Sequence, residues 1–280
     1  MNKLGNLKPF TKWVGGKRQL LPQLLDILPS NYNTYYEPFI GGGALFFELA
    51  PKKAVINDNN KELVLAYQVI KDDVESLISE LRRHQENNSK EYYLALRSAD
   101  RDGRIEKMTD SERAGRILYM LRVNFNGLYR VNSKNQFNVP YGKYKNPSIL
   151  DEANLRNISD YLKMNDVSIL NGDFEVATKS AKKGDLVYFD PPYVPLSPTE
   201  SFTNYTANGF GYEEQIRLRD LFVELDKRGV FVIVSNSTAD LVYNLYEPIA
   251  KTLIEVGATR MINSNAKKRG KINELIIANF

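Results

Sequence analysis

The chain has no cysteine, and among its 280 residues His84 is the sole histidine. Without cysteine there are no disulfides and no thiolate metal sites, and the reducing cytoplasm is the natural compartment. His84 lies in the polar tail "RRHQENNS" of a helical pattern, where a solvated helix end explains it better than catalysis or metal binding. A lone histidine also speaks against Ser–His and Cys–His nucleophile pairs. No metal site is expected. Long apolar runs are missing as well: "VFVIV" at 230–234 is far too short to span a bilayer, so no membrane association is expected. The first ten residues, "MNKLGNLKPF", lack an apolar signal core.

Acidic residues are absent from one long stretch. From Arg116 to Pro147 stand six basic residues, six aromatics and six asparagines, with no acid among them. The bases are Arg116, Arg122, Arg130, Lys134, Lys143 and Lys145. Overall net charge is only +4, so this local concentration matters more than the sum. A basic, aromatic, amide-rich segment suits phosphate contacts, base stacking and base-edge hydrogen bonds. A solvated polar insertion usually carries both signs of charge, so nucleic acid is the favoured partner.

What is present reads as α/β. "TYYEPFIGGGALFFELA" at 34–50 has the pattern of a strand, a glycine turn and an apolar helix start, and "AVIND" at 54–58 is a second strand ending in an acid. Apolar residues recur at helical spacing from Lys61 to about Arg83, as one helix or two, and again over 90–122 around a polar interruption. Residues 123–147, rich in Asn, Gly and Pro, read as loop. Strand patterns return at 167–173, 185–190, 229–237, 252–256 and 272–280, with the helical "YEEQIRLRDLFVELDKRG" between two of them. The expected architecture is one parallel-sheet domain interrupted by a mainly helical insertion.

Three motifs carry chemistry. Gly41, Gly42 and Gly43 follow a strand and open a helix, where backbone can approach a ligand, but Phe46 stands where a dinucleotide fingerprint needs its last glycine. Asp58 follows 17 residues after Gly41, near the spacing of a ribose-binding acid; a plain strand–helix turn with a capping acid explains these residues equally well. "WVGGKRQL" at 13–20 fails as a P-loop, since Thr11 and Arg18 occupy required Gly and Ser/Thr positions. The third motif is "LVYFDPPYVPLSP" at 186–198. Pro191 and Pro192 must end the strand, which leaves the Asp190 carboxylate at a strand's carboxyl end. An exocyclic base amine is a poor nucleophile because its lone pair is delocalised into the ring. The Asp190 carboxylate and the Pro191 carbonyl could hold its two N–H groups, with Tyr193 stacked on a flipped-out base. A rigid exit loop is the plainer alternative.

"PFTKWVGGKRQLL", "EPFIGGGALFF", "NDNN", "RVNFNGLYRVNSKNQFNVPYGKYKNP", "GDF" and "DPPY" occur in this order. In that arrangement the whole chain resembles the Dam-type DNA N6-adenine methyltransferases, most of all the GATC-methylating members, including those that accompany restriction enzymes. The resemblance implies a Rossmann-like, doubly wound S-adenosylmethionine-dependent methyltransferase fold. It implies a catalytic and cofactor-binding domain at 1–65 and 161–280, with an inserted recognition domain at 66–160. By the same resemblance Trp13, Lys17, Glu37, Pro38, Phe39, Gly41, Gly43, Asp58, Asp173, Phe174 and Asp190 bind the cofactor. Asp190, Pro191, Pro192 and Tyr193 form the catalytic motif. Lys12, Phe125, Asn126, Leu128, Arg130 and Pro140 meet DNA, Phe125 with a stacking face but no hydroxyl; the basic, amide-rich block adds Asn132, Lys134, Lys143 and Lys145 to the expected DNA contacts. "NAKKRGK" at 265–271 fits a basic loop gripping phosphate, though an ordinary exposed turn fits nearly as well.

The function expected is therefore methyl transfer from S-adenosylmethionine to adenine N6 in double-stranded GATC by base flipping, leaving S-adenosylhomocysteine. A restriction endonuclease is an expected genetic companion. Cytosine-N4 or RNA adenine methylation is the nearest rival, and the match in the central block argues against both. A nicotinamide oxidoreductase would leave the proline motif and the basic block unexplained, and a silent DNA-binding protein would need no "DPPY".

Overall fold

The apolar runs form strands of one sheet in a computed structural model that describes residues 7–13, 15–196, 210–259 and 271–280. The strands are β1 (Tyr35–Glu37), β2 (Lys53–Asp58), β3 (Asp166–Asn171), β4 (Leu186–Phe189), β5 (Phe231–Ser237), β6 (Thr252–Thr259) and β7 (Lys271–Ala278). Their order is β3-β2-β1-β4-β5-β7-β6. β1 runs parallel to β2 and to β4, and β4 runs parallel to β5. β7 is antiparallel to both β5 and β6. The expected parallel sheet is thus corrected at one edge: only residues 260–270 separate β6 from β7, fewer than a parallel crossover needs. The fold is mixed α/β and Rossmann-like. Strand order reverses between β1 and β4, and the carboxyl ends of strands at such a switch point are where these sheets bind ligands.

β4 has no exposed face: Leu186, Val187, Tyr188 and Phe189 are each at most 1% exposed. That is why it reads as an unbroken apolar run instead of an alternating one. The helix Tyr212–Lys227 places Leu218, Leu221, Phe222 and Leu225 in one core cluster with Val187, Phe189, Val232 and Val234. Each such side chain contributes roughly 1.5–3 kcal/mol when fully buried.

The chain divides into two compact units. One comprises Met1–Lys17, Gly41–Lys52 and Asp58–Asn171; the other comprises Arg18–Ile40, Lys53–Asn57 and Gly172–Phe280. The first contains the helices Lys61–Asp72, Val74–Glu86, Lys90–Arg97, Asp110–Val123 and Glu152–Met164. Asn60 starts the first of these, its side chain accepting from the Glu62 and Leu63 amides, and Asp73, out of helical geometry, splits the pattern into two helices. A Thr109–Glu112 capping box opens Asp110–Val123. Residues 123–147 are mostly irregular, with isolated bridges Asn124–Tyr141 and Val131–Phe137. Among the described residues no helix is long and apolar enough to cross a membrane. Residues 265–270 of the "NAKKRGK" segment lie outside the described residues.

Two readings of polar residues are corrected. His84 does not sit at a solvated helix end: it is 1% exposed, its Nδ1 lies 2.6 Å from the Tyr92 hydroxyl, and its ring packs on Tyr119. The helix ends on its polar side, but His84 falls on the inward face with Leu77 and Leu81. Arg116 is no surface base either. It is 2% exposed, paired with Asp100 at 3.2 Å, and donates to the carbonyls of Leu96 and Arg97.

Burial, and then the charge of Arg83, lower the His84 pKa from 6.5 to about 4. The unfolded chain therefore binds a proton that the folded chain refuses. Stability is expected to fall as pH drops from 6.5 toward about 4, with no further loss from this residue below that. Denaturant unfolding of wild type and His84→Gln across this window measures the difference. Parallel losses in both would remove the imidazole as the cause.

Candidate functional site

β4 ends where Pro191 removes the next ladder donor, and the half-buried Asp190 stands at that end. The loop after it is held from behind by amides. Gln215 Nε2 donates to the Pro192 carbonyl at 3.1 Å, and Asn236 Oδ1 accepts the Val194 amide at 3.1 Å. Ser237 Oγ donates to the Val194 carbonyl. Among the described residues the Pro191 carbonyl accepts no hydrogen bond. The Tyr193 hydroxyl donates to Glu274 Oε2 at 2.7 Å. Burial first, then the charges of Asp190 and other neighbours, push the Tyr193 phenol well above its usual range. It is a neutral ring held at one end.

The same unit carries an aromatic shelf. Phe39 packs on Phe174 with ring centroids 5.4 Å apart, and both rings meet Phe210. Arg217 lies over the Phe174 ring and donates to Asp173 at 3.0 Å, while Asp173 caps its helix through the Glu175 amide. Buried Asn57 ties two motifs together, donating to the carbonyls of Pro38 and Gly172, each at 2.9 Å. Buried Glu37 accepts from the Tyr35 hydroxyl at 2.6 Å.

The other unit carries the glycine turn. Gly41 has φ +48°, and a Cβ there would fall 2.8 Å from Trp13 Cδ1. The indole thus covers the turn so closely that only glycine fits. Asp58 Oδ2 accepts the Gly41 amide at 3.1 Å and Oδ1 accepts the Asn60 amide at 2.9 Å. Burial raises the Asp58 pKa against the pull of these amides. Gly43, at φ +70°, opens the helix Ala44–Leu49 under the Tyr67 hydroxyl, which donates to the Gly41 carbonyl. Buried Lys17 reaches back to the Gly15 carbonyl at 2.9 Å. Trp13 also packs on Tyr129, ring centroids 5.6 Å apart, which joins the turn to the central block.

In that block, residues distant in sequence meet. Lys12 lies across Gly127, whose added Cβ would fall 2.9 Å from Lys12 Cβ, and its Nζ sits 4.4 Å from the Tyr144 ring centroid. Burial, then the nearby charge of Arg122, lower the Lys12 pKa. Asn126 adopts φ +59° in the turn Phe125–Gly127, which turns out Phe125, 44% exposed. The Phe125 amide donates to the Pro140 carbonyl, and Asn124 Nδ2 to the Leu128 carbonyl. Exposed Arg130 is braced by Asn138, with Nε donating to Oδ1 at 2.7 Å. Asn132 Oδ1 instead accepts the Lys134 and Gln136 amides and builds a local turn. Lys134, Lys143 and Lys145 are exposed.

Gln215, Asn236, Ser237, Asn57, Asn138 and Tyr144 were not singled out in the sequence. "VIVSNS" held one clue, since polar residues closing a buried strand need partners.

Residues 13–262 match the family described as D12 class N6 adenine-specific DNA methyltransferase. A Type II methyltransferase of Lactococcus lactis subsp. cremoris is 60% identical over 279 residues, covering 100% of this chain and 97% of that protein. One from Methanocaldococcus jannaschii is 43% identical, covering 98% of this chain and 99% of that protein. A DNA adenine methylase of Escherichia coli is 32% identical, covering 96% of this chain and 94% of that protein.

Proposed function

Because this chain belongs to the D12 class of N6 adenine-specific DNA methyltransferases, we propose that its substrate is double-stranded GATC and its donor S-adenosylmethionine, with S-adenosylhomocysteine as product. The observation that carries the chemistry is the loop after β4, where the Asp190 carboxylate and the Pro191 carbonyl, unbonded among the described residues, flank a braced turn. These two acceptors take the N–H groups of an adenine flipped from the duplex, so its nitrogen lone pair is freed toward the methyl group. Tyr193 stacks on the base. The cofactor supplies an electrophilic methyl group on its sulfonium.

The donor set fits that cofactor. Asp58 offers carboxylate acceptors suited to ribose hydroxyls, and the Phe39–Phe174 pair offers an aromatic shelf suited to an adenine ring. Trp13, Lys17, Glu37, Pro38, Gly41, Gly43, Asp173 and Asp190 complete the set of residues proposed to hold it. The 66–160 segment acts as the recognition module, with Phe125 wedging the base stack and Asn126, Leu128, Arg130, Pro140 and Lys12 reading the site. Asn132, Lys134, Lys143 and Lys145 complete the DNA surface. The protein works in the cytoplasm, and the Type II names of two relatives support association with an endonuclease of the same site.

Labelled cofactor incubated with duplexes that contain or lack GATC tests this reading. Transfer is expected only to the former, and none when both adenines already carry the methyl group; equal transfer to both duplexes would overturn the site assignment. For the cofactor, Asp58→Asn exchanges one acceptor for a donor. Losing a hydrogen bond to a charged group costs about 1.5–3 kcal/mol, a fall in affinity of about 10- to 150-fold. Trp13→Ala should also weaken binding. Calorimetric affinities unchanged in both variants would remove these residues from the cofactor site.

A further inference from the structure

We propose that Gln215 is a positioning residue for methyl transfer: it grips the Pro192 carbonyl and so fixes where the Pro191 carbonyl and the Asp190 carboxylate stand. The inference rests on the reading of that loop as the one that holds the target amine. Two consecutive prolines give the loop its direction, yet they also strip it of amide donors, so no strand ladder can hold it. Its carbonyls and the first amides beyond the prolines are the remaining handles.

A closed amide relay takes those handles. Gln215, in the first turn of the helix Tyr212–Lys227, is 1% exposed. Its Nε2 donates to the Pro192 carbonyl at 3.1 Å, while its Oε1 accepts from Asn236 Nδ2 at 3.2 Å. Asn236, 0% exposed near the end of β5, uses its one oxygen twice, for the Val194 amide at 3.1 Å and the Ser237 amide at 2.8 Å. Ser237 Oγ then donates to the Val194 carbonyl at 2.5 Å. Packing alone would be served by an apolar residue at position 215. A glutamine that donates on one side and accepts on the other is what this relay requires. The Pro191 carbonyl, left out of the relay, is placed by its two neighbours.

The test uses two near-isosteric variants of the full chain. Gln215→Met keeps the volume and removes both hydrogen bonds. Gln215→Glu keeps an acceptor for Asn236, and its buried carboxyl donates to the Pro192 carbonyl only when protonated. A displacement of about 1 Å at a reacting centre costs about 10²-fold in rate. The expected result is therefore a kcat lowered about 10²-fold in Gln215→Met, with KM for DNA and for S-adenosylmethionine within about twofold of wild type.

In Gln215→Glu the rate relative to wild type should rise as pH falls, because a buried carboxyl takes up its proton readily. Asp190, Tyr193 and Glu274 around the loop, and Glu213 and Glu214 on the same helix, are common to variant and wild type, so the ratio cancels their titration. A merely structural role would move thermal stability and both KM values together and give no recovery with pH. An active wild type with unchanged kcat in both variants, or a loss in Gln215→Glu indifferent to pH, would overturn the positioning role alone. A wild type that transfers no methyl group would overturn the reading of the loop and this inference with it.

Discussion

Asp190→Ala is expected to abolish methyl transfer while duplex binding persists. The carboxylate follows directly on a strand that is buried on every side, so packing sets it from one side and the braced loop from the other. Removing it deletes one of the two acceptors proposed to hold the amine. Loss of a single preorganised hydrogen-bonding group at a reacting centre typically costs about 10²–10³-fold in rate. Asp190→Asn should fall between, because an amide keeps one acceptor but presents a donor where the amine needs none. The residues proposed to meet DNA, among them Phe125, Arg130 and Lys145, lie in a different stretch of chain, so affinity for the duplex should change little. Single-turnover transfer and gel-shift affinity, measured on the same preparations, separate chemistry from binding. A wild-type single-turnover rate in Asp190→Ala would take this residue out of the chemistry.

β4 and β5 were legible because they are buried on both faces and so read as unbroken apolar runs. Strand direction was not all legible. Whether β7 runs with or against β5 depends on a connection whose length shows only once the strand ends are known. At the site, legibility followed chain continuity. Asp190, Pro191, Pro192 and Tyr193 stand together, whereas the residues that brace them, Gln215 and Asn236, come from a helix and a strand further on and carry no motif of their own. Charge misled in two places. Arg116 counted as a surface base until Asp100 and two carbonyls claimed its guanidinium. His84 was judged from its polar neighbours in sequence, although helical geometry turns it inward, away from them. Counting charges along a chain cannot distinguish the faces of a helix.

The same distinction separates the exposed bases of the central block by the role expected of each. Arg130 and Lys145 are both exposed, but only Arg130 is braced. Its Nε donates to Asn138 Oδ1 at 2.7 Å and one Nη2 hydrogen to the Asn138 carbonyl at 3.3 Å. Of the five guanidinium donors, the Nη1 pair and the second Nη2 hydrogen remain, and they form a planar fork. A fork held in one orientation suits a guanine edge, where O6 and N7 accept as a pair. A lysine on a flexible stem suits phosphate instead. Arg130→Ala is therefore expected to lose about 1–3 kcal/mol of discrimination at one base pair, and so to methylate sites altered there relatively better than wild type. Lys145→Ala should weaken binding to every sequence, lower its salt dependence and leave the ranking of sites intact. Relative kcat/KM on all single-base variants of GATC, at two salt concentrations, compares the two. If Arg130→Ala loses activity equally across that set, its fork grips the backbone, and the bracing by Asn138 orients a phosphate contact rather than a base contact.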